Sequence, residues 1–149
     1  MKTVIKISNR IIKELIQDAE SSYPNEACGF LYGADASIRS IVHFEPVINS
    51  QEGDQRRRFE ISTLDYLKTE RRALDTGLDL LGIYHSHPDH EAIASSHDLE
   101  KALPFFSYVI VSVLKGKAEQ IYSWRLFDRY RSFYQEELLI ENLIISPNK

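Results

Sequence analysis

Leu81-Gly82-Ile83-Tyr84-His85-Ser86-His87-Pro88-Asp89-His90-Glu91-Ala92-Ile93-Ala94-Ser95-Ser96-His97-Asp98 is the stretch from which the rest of the chain can be read. It begins inside a short apolar run, Leu80 to Tyr84, with Gly82 within and Pro88 just beyond. That is the pattern of a buried strand delivering its last residues to a surface loop. Side chains two apart on a strand share a face, so His85 and His87 can converge on one ion without distorting the backbone. Asp98 can supply a third ligand. Two neutral nitrogens and a carboxylate suit Zn2+, and three protein ligands leave a position open for water, as in catalytic rather than structural zinc sites.

Each feature taken singly has an ordinary explanation. A histidine near a strand end is usually a polar surface residue, and Ser95-Ser96-His97-Asp98 before Leu99 also reads as a helix start close to a capping box. Together, His-x-His-Pro, seven residues between His87 and Ser95, and Ser-x-x-Asp have fixed spacing over the fourteen positions from His85 to Asp98. The arrangement resembles the signature of the JAMM (MPN+) metalloproteases, and it carries all four of that signature's residues: His85, His87, Ser95 and Asp98. Tyr23-Pro24-Asn25-Glu26-Ala27-Cys28-Gly29-Phe30-Leu31-Tyr32-Gly33 is similar to the segment that bears a glutamate in small stand-alone bacterial members. Hydrolysis by a metal-activated water asks for such a carboxylate independently, to take a proton and return it to the leaving amine. Without the downstream motif, Glu26 would read as an ordinary solvated carboxylate.

The resemblance implies the remaining roles. His85, His87 and Asp98 hold zinc, Glu26 is the general acid and base, and Ser95 gives its hydroxyl to the oxyanion. On this reading Asp98 cannot lend its carboxylate fully to helix capping as well. The implied fold is α+β, a mixed α/β sandwich with the cytidine-deaminase-like curved central sheet and flanking helices of MPN/JAB domains, over almost the whole chain. The implied substrate is a ubiquitin-like sulfur-carrier protein or a peptide C-terminal tail, cut at a peptide or isopeptide bond after a diglycine. The long insertion of eukaryotic deubiquitinating relatives has no evident room. Many members carry proline where this chain has Ala94, which predicts a less restrained loop between His87 and Ser95.

Length and composition bound the rest. The chain of 149 residues shows no internal repeat and no Pro-, Gly- or Ser-rich linker, which predicts a single domain over 1–149. A net charge of −4 gives no electrostatic reason to bind nucleic acid, and Arg56-Arg57-Arg58 is short enough to be a solvated loop face. No apolar run approaches membrane-spanning length, and the first residues lack a continuous apolar core of a secretory signal. The lone cysteine excludes an intrachain disulfide and fits a reducing, cytoplasmic setting.

In chain order the pattern predicts a strand over Thr3 to Ile7 and a helix capped by Ser8 or Asn9 to about Glu20, with Ile11, Ile12, Leu15, Ile16 and Ala19 on one face. Strands follow over Ala27 to Tyr32 and Ile38 to Val47, the second at an edge or bent near Pro46. Asn49 to Gln55 is a loop, lining the cleft together with the residues up to Arg58. Ser62 caps a helix through Thr76, with Leu64, Leu67 and Leu74 inward and Gly77 as stop. After the Leu78 to Tyr84 strand and the loop comes a short helix, Ser95 to Leu103. Ser107 to Leu114 and Ala118 to Phe127 form a hairpin around Lys115-Gly116-Lys117, with Trp124 filling core. Arg131 to Ile145 mixes strand and helix signals, and its apolar residues, Leu138 to Ile145, either close the core or form a homodimer face.

Three other readings fit the residues. Two histidines and a carboxylate also make the facial triad of non-haem iron oxygenases, which bound iron would favour. A cysteine hydrolase on Cys28 with His85 would be sensitive to alkylation, although a cysteine in an apolar run is usually a small buried hydrophobe. A non-catalytic MPN scaffold would fold yet hold no metal. Asp89, His90 and His97 surround the loop as supporting or solvated groups, and either histidine would ligate only in a different loop arrangement.

Overall fold

The computed structural model describes residues 3–127 and 131–141. In chain order the elements are β1 (Val4–Ser8), α1 (Asn9–Ser22), β2 (Cys28–Ala34), β3 (Arg39–Val47), α2 (Thr63–Thr76), β4 (Asp79–Pro88), α3 (Ser96–Lys101), β5 (Ser107–Leu114), β6 (Lys117–Phe127) and β7 (Ser132–Glu141). Local chemistry sets the helix ends. Ser8, Ser62 and Ser95 are the N-caps, each accepting a backbone N–H from the first turn. Gly77 ends α2 in the left-handed region, φ 70°, where a side chain is disfavoured.

The strands run β1-β3-β2-β4-β5-β6-β7, and β1 pairs in parallel with β7, so the expected curved sheet closes on itself. Parallel contacts β1–β3, β1–β7 and β4–β5 alternate with antiparallel hairpins, which makes the fold α+β with a mixed sheet. Gly82 is needed where β4 meets β5, because a Cβ there would collide with the Ser107 backbone. Pro46 sits beyond the three residues of β3 that pair with β1, on a stretch whose other edge carries no strand, in keeping with its missing N–H.

Alternation divides the apolar residues between two faces. On one, Ile11, Ile12, Leu15 and Ala19 of α1 pack with Ile5, Ile7, Leu31, Ile41, Tyr84 and Val109. On the other, Cys28, Phe30, Tyr32, Ile83 and Tyr108 pack with Ile61 and Ala102. Tyr84 therefore faces α1, while Ile83, His85 and His87 face the side that α2 and α3 flank.

Three expectations need correction or refinement. Leu64, Leu67 and Leu74 are 62%, 60% and 82% exposed; in α2 the buried residue is Thr69. Two stripes at helical spacing compete, and the rotation is set by the edge-on contact of Tyr66 with Phe30 and by the Arg72–Glu45 ion pair of 2.8 Å. Trp124 is half-buried against the second cluster rather than central to it, and its indole N–H reaches the loop after β4. The ambiguous C-terminal part is a strand over Ser132–Glu141; Leu138 packs on the core, Leu139 and Ile140 are exposed, and 142–145 lie outside the described residues. Among the described residues no helix is long and apolar enough to cross a membrane.

Candidate metal centre

His85 and His87 lie within β4, which continues to Pro88, and both are buried, at 1% and 2% exposure. The intervening Ser86 points the other way and fastens β4 to the segment holding Glu26. Its N–H donates to Ala27 O at 3.1 Å, and its hydroxyl accepts the Ala27 N–H at 2.8 Å. Glu26, 3% exposed, is thereby placed beside the histidines. Both of its backbone polar groups are also held by the loop before α2. The Glu26 N–H donates to Gln55 O at 2.7 Å, and its carbonyl accepts from Asn49 Nδ2 at 3.0 Å. Asn49 Nδ2 further donates to Arg58 O, and its Oδ1 accepts from the N–H groups of Gln51 and Glu60.

Glu26, His85 and His87 each present a ligand atom, all within 4.8 Å of one another. Asp98 completes the surround: Oδ1 lies 3.5 Å from His85 Nε2, and Oδ2 lies 3.2 Å from His87 Nε2. Glu26 Oε1 lies 3.5 Å from His85 Nδ1, so His85 stands between the two carboxylates. Phe59 stacks on the His85 ring at 4.5 Å and shields it.

Capping and site use of Asp98 turn out to be compatible. Ser95 N–H donates to Asp98 Oδ2 at 2.8 Å and Asp98 N–H donates to Ser95 Oγ at 3.0 Å, a complete capping box. The other oxygen, Oδ1, faces His85. Since Ser95 Oγ accepts in this box, its hydroxyl hydrogen is left to donate elsewhere.

The electrostatics follow from these contacts. Burial opposes ionisation of Asp98, yet His85, His87 and the Ser95 N–H hold its carboxyl well below the usual range. Burial likewise disfavours a charged His85, but Asp98 and Glu26 outweigh it and raise its pKa. His87 Nδ1 lies 2.7 Å from the Glu91 carbonyl, which can only accept, so Nδ1 carries a hydrogen. In the neutral ring Nε2 is then a lone pair aimed at a carboxylate. Two acceptors then face each other, a conflict that a metal ion held by both resolves, as does a hydrogen on Nε2 donated to Asp98. His85 Nδ1 is buried and faces Glu26 Oε1 at 3.5 Å, beyond a good hydrogen bond, while its Nε2 faces Asp98. The donor set fits zinc.

The loop from Asp89 to Ala94 is restrained despite Ala94. Asp89 N–H donates to Val113 O at 2.7 Å, Ser112 Oγ donates to His90 O at 2.6 Å, and Trp124 Nε1 donates to Ala92 O at 3.0 Å. His90 stacks on His87 at 4.2 Å, and His97 Nδ1 pairs with Arg58. Cys28 is fully buried with its thiol directed at Val47 O, and burial pushes its pKa up to about 12, which removes the thiolate a cysteine hydrolase needs. Asn49 enters the sequence reading only as a cleft-lining loop residue, and Ser86 and Trp124 do not enter it as site residues; only the alternation around Ser86 carries a signal, since Asn49 and Trp124 act through contacts distant in the chain.

Residues 8–127 match the family described as prokaryotic homologs of the JAB domain. The chain is 30% identical over 126 residues to the CysO-cysteine peptidase of Mycobacterium tuberculosis, covering 84% of each. It is 30% identical over 103 residues to the desampylase of Haloferax volcanii, covering 68% of this chain and 73% of that protein. The solved structure of DSY2949 from Desulfitobacterium hafniense superposes with a TM-score of 0.82 at 25% identity over 95% of both chains.

Proposed function

Because this chain belongs to the family of prokaryotic homologues of the JAB domain, and is a homologue of JAMM-type metallopeptidases, we propose that it is a zinc-dependent hydrolase. It cuts a peptide or isopeptide bond at the C-terminal tail of a small ubiquitin-like, sulfur-carrier type of protein. The observation that carries the metal reading is the convergence of buried ligand atoms from Glu26, His85 and His87 within 4.8 Å of one another, with Asp98 3.5 Å from His85 Nε2 and 3.2 Å from His87 Nε2.

His85, His87 and Asp98 are the residues that would hold zinc. Bound there, the ion would polarise water and the carbonyl under attack. Glu26 takes a proton from the attacking water and passes it to the leaving nitrogen, a role that favours a carboxylate fixed in place. Its backbone anchorage to Asn49, Gln55 and, through Ala27, Ser86 provides that fixity. Ser95 donates its free hydroxyl hydrogen to the carbonyl oxygen as negative charge gathers there. Phe59 keeps bulk water from His85. The substrate class follows the relatives, one a peptidase for CysO-cysteine and one a desampylase. The lone buried thiol suits the cytoplasm, and the end of β7, with Leu139 and Ile140 exposed on its two sides, offers an apolar contact for a second copy.

The test is elemental analysis of wild type and His87→Ala, followed by cleavage of a small ubiquitin-like protein bearing a C-terminal extension, with Glu26→Ala as control. About one zinc per wild-type chain, a large loss in His87→Ala, and cleavage abolished in Glu26→Ala are expected. A folded wild type that binds no supplied zinc overturns the proposal in favour of a scaffold, and bound iron moves it to an oxygenase.

A further inference from the structure

We propose, resting on the hydrolase reading above, that the cavity beside His85 and Asp98 receives one C-terminal amino acid with a bulky apolar side chain, its carboxylate held by Lys101.

The cavity measures about 310 Å3, at the lower end of the range for small-molecule sites. Its walls are Phe59, Ile61, Tyr66, Ile83 and Tyr108, and it shares His85 and Asp98 with the site already described. Ile61, Ile83 and Tyr108 are buried, so this apolar surface is fixed by the second core cluster rather than by loose surface groups. The Tyr108 hydroxyl accepts the Leu103 N–H at 2.7 Å, which fixes the ring as an apolar wall. Such a lining selects an aliphatic or aromatic side chain.

The rim selects a chain end. Lys101 follows Asp98 by three residues on α3, which puts both on one face of that helix. Its ammonium donates to the neutral Phe59 carbonyl at 3.3 Å and, among the described residues, pairs with no carboxylate. That bond joins two walls of the cavity. A polypeptide continuing outward would have to break it, whereas a terminal carboxylate beside Lys101 supplies the missing anion. His97 stands on the same wall, its Nε2 buried behind the cavity surface. Arg58 can only donate to His97 Nδ1, which leaves the hydrogen of the neutral ring on Nε2, an atom with no partner among the described residues. Glu60 is the opposing charge on the rim.

The experiment is an NMR titration of the protein as purified with L-phenylalanine, L-leucine, L-alanine and L-phenylalaninamide, reading the Tyr66 and Tyr108 resonances. It is run beside hydrolysis of synthetic peptides ending in Gly-Gly-Phe, Gly-Gly-Ala and Gly-Gly-Phe-amide. Phenylalanine and leucine should bind at least about tenfold more tightly than alanine. The amide, and phenylalanine with Lys101→Met, should bind about threefold to tenfold more weakly, while Glu60→Gln tightens binding. Equal binding of phenylalanine, alanine and the amide, or shifts that leave Tyr66 and Tyr108 untouched, overturns the pocket even if peptides are cut. The expected binding with neither these peptides nor a C-terminally extended small ubiquitin-like protein hydrolysed upholds the pocket and overturns the hydrolase reading instead.

Discussion

Asp98 Oδ2 receives the Ser95 N–H at 2.8 Å and faces His87 Nε2 at 3.2 Å, so one carboxylate oxygen both starts a helix and closes a metal site. The two uses separate on mutation. Asp98→Asn keeps an oxygen for the cap but removes the charge. Its melting temperature without metal should fall at pH 7, because the low pKa of Asp98 means its charged form contributes stability there, and the stabilisation gained on adding zinc, about 2.7 kcal/mol at a hundredfold excess over Kd, should largely vanish. Thermal unfolding with and without zinc measures both.

Asn49→Ala should lower kcat with zinc content intact. The Asn49 amide ties Glu26 O to Arg58 O and also accepts two backbone N–H groups. Losing these bonds should cost about 2 kcal/mol of stability and leave Glu26 less well aimed. Metal analysis beside steady-state kinetics distinguishes misplacement of the base from loss of the ion.

Native protein should resist iodoacetamide at pH 8, since Cys28 is buried and its thiol pKa is pushed up to about 12. Cys28→Ala should retain activity. Mass spectrometry after alkylation checks the first point, and rapid modification with loss of activity would contradict both.

Asp18 provides a pH test away from the metal. Burial raises its pKa, and the hydrogen bond from Tyr84 only partly offsets this. A carboxyl whose folded pKa is raised contributes stability below its unfolded pKa that is lost as pH rises through the folded value. Asp18→Asn should therefore be more stable than wild type at pH 7, with the gap closing on acidification towards pH 4. Urea titrations at the two pH values measure it.

Much of the site was legible because strand alternation is short-ranged: His85 and His87 share a face whatever surrounds them, and Ser86 must point away. Glu26 needed the resemblance, since nothing within its own segment separates it from a solvated carboxylate. The orientation of α2 was not legible, because Leu64, Leu67 and Leu74 make as good a helical stripe as Tyr66, Thr69 and Ala73. The choice falls to Phe30 and Glu45, which lie elsewhere in the chain. Nor did the sequence show that Asp98 could serve cap and site together, since that depends on Oδ2 taking the Ser95 N–H while facing His87.

The seam between β1 and β7 pairs Val4 with Glu137 and Ser8 with Glu141. During synthesis β1 leaves the ribosome long before its outer partner exists, and one edge waits unpaired while β2 to β6 assemble. The antiparallel contact of β2 with β4, which brings Glu26 to the histidines, needs none of that delayed strand. A nascent chain can therefore gather its metal-binding groups before its barrel is shut, and zinc arriving early would act as a clasp on a half-made protein.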